Sequence, residues 1–232
     1  MGCGCAGNNN DNLIRNFYSG FIIRTKEIND VYEFTKIKKS NTSKINKKKW
    51  EIFEDNLLVN PKFIEQSKKF FNFCLEESRK NYDKNEGYFF ISILFFCKSK
   101  IEDFIKIFVL CCKNQAGLKE EIFNENDKNF IKNEKLKKIL IFYLNLITNF
   151  CVDFVKEIDE NPELFSEEFN NVFNADAIEK FFIENVFENY LNVENVEIEK
   201  FFNEKLNLLK NDDFIRTKIF NDYVLKTQKK NK

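Results

Sequence analysis

The chain has 232 residues, and its 37 basic side chains balance 37 acidic ones, so a whole-surface electrostatic grip on nucleic acid is not expected. Hydrophobic residues at 43% and charged residues at 32% give the balance of a folded protein rather than a disordered one, with length enough to bury a continuous core. His is absent, which removes the commonest general acid and base and the commonest neutral metal ligand, and leaves carboxylates, Lys, Tyr or Cys for any catalysis.

With 29 Phe, six Gly and two Pro, the chain is aromatic-rich and nearly free of helix breakers. That composition predicts an all-α fold, an irregular multi-helix bundle, and the residue types of the N-terminus add the expectation of a flexible lipidated tail. Seven Cys are an odd number with no secretory signal before them, as in a reduced, cytosolic setting. Cys74, Cys97, Cys111, Cys112 and Cys151 lie in apolar stretches and read as core filler.

Residues 1–12 form the expected tail, Met1-Gly2-Cys3-Gly4-Cys5-Ala6-Gly7 followed by Asn8, Asn9, Asn10, Asp11 and Asn12. No apolar signal-peptide core is present. Removal of Met1 exposes the Gly2 amine for N-myristoylation, which favours small uncharged followers, and the adjacent thiols suit S-palmitoylation. The segment resembles the membrane anchor of Src-family tyrosine kinases, whose members begin Met-Gly-Cys and carry myristate on the Gly and palmitate on nearby Cys. The resemblance covers residues 1–6 and implies Gly2 as the myristoyl site and Cys3 and Cys5 as palmitoyl sites. Ala6 stands where Ser or Thr is usual, and no kinase motif follows. A Cys-x-Cys metal or redox site ranks lower, because neither His nor a second Cys pair lies nearby. One myristoyl chain binds bilayers at only about 10⁴ M⁻¹, so a second acyl group gives stable residence.

Residues 13–49 are expected to hold amphipathic helices and a Lys-rich linker. Leu13, Ile14, Phe17, Tyr18, Phe21 and Ile22 recur at helical intervals and predict one helix running through Gly20, either lying in a membrane interface or packing on the body. A shorter helix uses Ile28, Val31 and Tyr32. Residues 1–50 carry ten Lys or Arg against four acids, a net +6 balanced by −6 in the remainder, which points this end toward anionic lipid. Lys36, Lys38, Lys39, Lys44, Lys47, Lys48 and Lys49 are the candidate lipid contacts, each contributing about 1 kcal/mol at such a surface. Interspersed Ser, Thr and Asn make a plain solvated linker an equal alternative.

A helical domain is expected over residues 50–226, with a polar tail at 227–232. Phe53, Leu57 and Leu58 form one face before Asn60-Pro61, and Pro61 opens the next helix, with Phe63, Ile64, Phe70, Phe71 and Cys74, ending near Tyr82. Tyr88–Cys97 predicts a helix buried on most sides, and Ser99 with Glu102 forms a capping box for a helix carrying Ile101, Phe104, Ile105, Phe108 and Cys112. The longest periodic run, 127–158, predicts a central helix that Asn145, Asn149 and Asp153 make too polar to cross a bilayer. Asn161-Pro162 precedes a helix with Leu164, Phe165, Phe169 and Phe173. Three more follow, marked by Phe181 and Phe182, Phe201 and Phe202, and Phe214 to Val224.

Asp83 to Tyr88 resembles the start of an EF-hand loop, but the Gly falls one residue early and the late ligand position is apolar, so no calcium site is expected. Glu167-Glu168 and Asp212-Asp213 read as solvated helix starts. No catalytic residue, metal site or cofactor is expected, and a carboxylate or Cys enzyme ranks below two other readings. The first is a membrane-tethered helical interaction or scaffold module on a cytosolic membrane face, bound to lipid through acyl chains and to an unidentified protein partner. The alternative is a cytoskeletal or large-assembly structural component.

Overall fold

Few breakers and many apolar residues at helical spacing give long helices, and the computed structural model of the chain is accordingly all-α. It describes residues 6–36, 51, 54–81, 87–114, 123–124, 127–158 and 171–230. Two compact units are present, one of residues 16–128 and one of residues 1–15 with 129–232, a division that cuts across the span 50–226 read from sequence. No described helix is long and apolar enough to cross a membrane.

Helix α1 spans Ala6–Ser19, beginning well before the apolar stripe and making residues 6–12 helical rather than an irregular tail. Once the stripe is packed, each residue added at its front costs little, because propagation adds a hydrogen bond per residue fixed. Ile14, Phe17 and Tyr18 are buried, so the stripe packs in protein.

In the unit of residues 16–128, the helix stops at Ser19 instead of running through Ile22. A β-carbon on Gly20 would stand 2.2 Å from Asn60 Nδ2, so only glycine leaves room for the side chain that ends the helix. A 3₁₀ turn, Ile22–Thr25, leads to α2, Ile28–Lys36. A π-helical turn, Glu54–Leu58, precedes Asn60. Pro61 sits in a turn and not at the first helical position, since α3 spans Ile64–Asn81. Asn60 accounts for this shift, its Oδ1 accepting from Lys62 N at 2.9 Å and its carbonyl from Phe63 N at 3.0 Å.

Helix α4, Gly87–Leu94, is buried from Tyr88 onward, and the burial continues through Cys97 as the sequence predicts, although the helix ends three residues before Cys97 and residues 95–97 turn instead. Helix α5 spans Ile101–Asn114, so the residue before it is Lys100, whose carbonyl accepts from Phe104 N at 3.0 Å; Ser99 lies one residue ahead of the capping position. A two-residue strand, β1, follows at Phe123–Asn124. The core of this unit is aromatic. Phe21 stacks on Phe70 at 5.5 Å and meets Phe71 at 4.9 Å, while Phe17 meets Phe21 edge-on at 4.9 Å. Each such side chain contributes roughly 1.5–3 kcal/mol by burial, with edge and offset contacts favoured by the ring quadrupole.

In the other unit, the expected central helix is divided. Strand β2, Asp127–Lys132, occupies its first six residues, and α6 spans Asn133–Ile158. Phe130, Ile131 and Lys132 pair antiparallel with Glu197, Val196 and Asn195 of β3, Asn195–Glu197. Leu136, Ile139, Leu140, Tyr143 and Ile147 give α6 its buried face. Helix α7, Ala175–Phe181, is capped by Asn174, whose Oδ1 accepts from Ala177 N at 2.8 Å, and it runs into a π-helical turn, Phe182–Val186.

Helix α8 spans Ile198–Leu209, and α9 spans Asp212–Lys230, so residues expected in the polar tail continue a helix. Tyr143 donates its hydroxyl to Leu209 O at 2.9 Å, joining α6 to the end of α8. Phe187 stacks on Phe182 at 4.5 Å and meets Phe201 at 5.4 Å. The helix expected to start at Asn161-Pro162 lies almost entirely outside the described residues.

Candidate functional site

Gly2, Cys3 and Cys5 lie outside the described residues, and helix α1 begins directly after them at Ala6. Of the candidate lipid-contacting lysines, Lys36 is the last residue of α2, while Lys38, Lys39, Lys44, Lys47, Lys48 and Lys49 lie outside the described residues. The apolar face of α1 is committed to the protein, because Ile14 is 3%, Phe17 0% and Tyr18 1% exposed. Of the two placements open from sequence, packing on the body is the one found.

One half-exposed ion pair links α1 to the start of α9, and a second, buried pair lies within α9 beside it. Arg15 Nε lies 2.9 Å from Asp213 Oδ1, and Arg216 Nη1 lies 2.8 Å from Asp212 Oδ2. Asp212 and Arg216 are both buried, so this helix start is a desolvated ion pair and not the solvated acidic cap its sequence predicts. At the other end of α1, Asn60 Nδ2 donates to the helix-end carbonyl of Phe17 at 2.8 Å and, beside Gly20 N, to Asn16 O at 3.3 Å.

Other chemistry is sparse. Glu54 is buried at the start of its π-helical turn; desolvation raises its pKa above the usual carboxylate value, with Lys68 opposing and Asp55 and Glu51 reinforcing the shift. Asn72 Nδ2 donates to its Oε1 at 3.4 Å, and Lys68 Nζ pairs with Asp55 Oδ1 at 2.7 Å. Nothing in this group is a nucleophile with an oxyanion donor beside it. Burial also pushes the Cys112 thiol well above its ordinary range, with Cys111 adding to the effect, which makes it an inert packing group. Tyr190 is pushed up to about 12 by burial and by its 2.9 Å hydrogen bond to Glu204. Among the described residues no group of His, Cys, Asp and Glu is arranged to hold a metal ion. Most of the EF-hand-like segment and Glu167-Glu168 lie outside the described residues.

Compared with family models, curated proteins and solved structures, the chain matches none.

Four polar residues shape the fold through partners that the sequence does not show: Asn60, Asn133, Asp212 and Arg216. Asn133 is buried, and its Nδ2 donates to Tyr190 O and Val193 O, each at 2.6 Å. The only local signal is an Asn between two apolar runs, which marks a break but not the distant carbonyls it will satisfy.

Proposed function

We propose that the chain is a membrane-tethered helical interaction module, held at a cytosolic membrane face by myristate on Gly2 and palmitate on Cys3 and Cys5. The observation that carries this reading is the segment Met1 to Cys5, whose residue types meet both acylation requirements, set directly before a helix whose apolar face is already used in the core. Because Ile14, Phe17 and Tyr18 are buried, the apolar stripe of α1 is used in the core, and membrane residence falls to the acyl chains. Four residues extend from Gly2 to the start of α1, a reach of at most about 14 Å, so the acyl groups would hold the folded body close to the lipid. Lysines between Lys36 and Lys49 would add about 1 kcal/mol each where they meet anionic headgroups. A module of this kind acts by bringing its helical surface to a partner at the membrane, and needs no catalytic group.

Fractionation of cells expressing the full chain with a C-terminal fluorescent protein tests this. Wild type is expected in the membrane fraction and Gly2→Ala in the soluble fraction. Replacing Cys3 and Cys5 by Ser should leave weak, reversible binding, the marginal affinity of a single acyl chain. Membrane association unchanged in the Gly2 variant would refute the reading.

A further inference from the structure

Helix α9 buries one side and leaves an apolar side open. Ile215 and Ile219 are buried together with Asp212 and Arg216, where α9 packs on α6, α7 and α8. Away from that side, Phe214 is 46%, Phe220 45% and Leu225 56% exposed, with Val224 half-buried between them. Helical spacing sets Phe214, Lys218, Asn221, Asp222 and Leu225 along one outer stripe, with Thr217 and Val224 at its edge and Phe220 farther round the helix. A single exposed Phe needs no explanation, but Phe214 and Leu225, both exposed at the two ends of one outer stripe, make a pair that a partner helix can cover.

The order of residues along the stripe indicates what covers it. Phe214 and Leu225 lie equally far from a point between Ile219 and Phe220, and Lys218 and Asp222 lie equally far from Phe220, so the apolar pair and the charged pair share nearly the same centre. A second α9 laid antiparallel across a two-fold axis at that centre sets apolar against apolar at each end. It also sets Lys218 of each copy against Asp222 of the other, with the uncharged Asn221 between them. A parallel arrangement would instead oppose Lys218 to Lys218. Lys218 and Asp222 already pair within the helix at 3.3 Å, but their side chains stay 41% and 23% exposed and keep room for a second partner. An anionic lipid surface would use Lys218 and leave Asp222 against like charge, whereas a second copy uses both signs.

We infer that the outer face of α9 is a homodimer contact in which two copies of this helix pack antiparallel, Phe214 of each over Leu225 of the other. A single helix pair lies at the small end of specific interfaces, so dissociation is expected on the order of micromolar. The contact does not depend on acylation. Where both occur, a dimer carries two acylated tails and stays at the bilayer longer by avidity.

Sedimentation velocity of the unacylated full chain tests this. Wild type is expected to shift from the 27.8 kDa monomer to twice that mass as concentration rises. Phe214→Ser with Leu225→Ser, both at exposed positions, should weaken dimerisation at least about tenfold while leaving the circular dichroism spectrum unchanged. Lys218→Asp and Asp222→Lys should each weaken self-association, because each opposes like charges across the axis. Mixing those two variant chains should restore a dimer, since every cross-axis pair is then of opposite sign, a result that the pairing within one helix could not produce. A wild-type chain that stays monomeric well above micromolar concentration would overturn the inference, as would a mixture that associates no better than its components. A monomer that instead sediments with anionic phospholipid vesicles, and loses this in the Phe214 and Leu225 variant, would reassign the face to lipid.

Discussion

Asn60 commits its backbone and side chain to five hydrogen bonds: its amide to Ser67 Oγ, its carbonyl to Phe63 N, its Oδ1 to Lys62 N, and its Nδ2 to the carbonyls of Asn16 and Phe17. Losing the side chain removes two bonds to helix-end carbonyls, of which Asn16 O keeps Gly20 N, and Asn60→Ala should cost about 1–2 kcal/mol. Gly20→Ala should cost a similar amount in the wild type, because the new methyl overlaps the Asn60 amide, and far less once Asn60 is already Ala. A double-mutant cycle by denaturant unfolding checks this; additive losses would show that Gly20 is needed for some reason other than space. Glu54 gives a pH-dependent case. Its folded-state pKa is raised from 4.5, so its contribution is most favourable below that value and is lost as pH rises through the folded-state value. Glu54→Gln should therefore raise the melting temperature relative to wild type at pH 7 by more than at pH 4, and the reverse order would disprove the assignment.

Helix positions were legible from sequence wherever apolar spacing ran unbroken. Tyr88 to Leu94, the runs around Phe104, Phe201 and Phe214, and the helical class of the described residues follow from period and composition, whereas residues 95–97, expected in the same helix, form a buried turn after it. Boundaries were less legible, because polar side chains set them through distant backbone groups. Periodicity from Leu136 extends backward into 127–132, yet those residues form a strand, since Asn133 turns the chain there to reach Tyr190 O and Val193 O and β3 supplies the ladder. Asn133→Ala should cost about 1–2 kcal/mol by removing two hydrogen bonds, although Tyr190 O keeps Val193 N as a donor. Asn133→Asp should cost more, because a carboxylate cannot donate to either carbonyl and would itself be buried. Thermal unfolding of both variants checks the order, and an Asp no worse than Ala would contradict this role. The Asp212–Arg216 pair fits the same pattern, since Asp-Asp at a helix start is read from sequence as solvated, and only the surrounding helices make it buried.

At the scale of the whole molecule, the all-α class was legible because nothing in the composition competes with helix. The division into a contiguous unit of residues 16–128 and a unit built from both ends of the chain was not, since no linker composition marks Arg15 or Asn129. The candidate site shows the opposite balance. Its chemistry rests on residue types at Gly2, Cys3 and Cys5, while the folded body adds the commitment of the α1 apolar face to the core. Without insertion by α1, the tethered-module reading stands on the covalent state of the second residue. Mass spectrometry of the N-terminal peptide, taken from the chain expressed in cells with an N-myristoyltransferase, measures that state directly. The account predicts a Met-free peptide with a myristoyl amide on Gly2 and thioester-linked acyl groups on Cys3 or Cys5, and a peptide retaining Met1 or ending in a free Gly2 amine would contradict it.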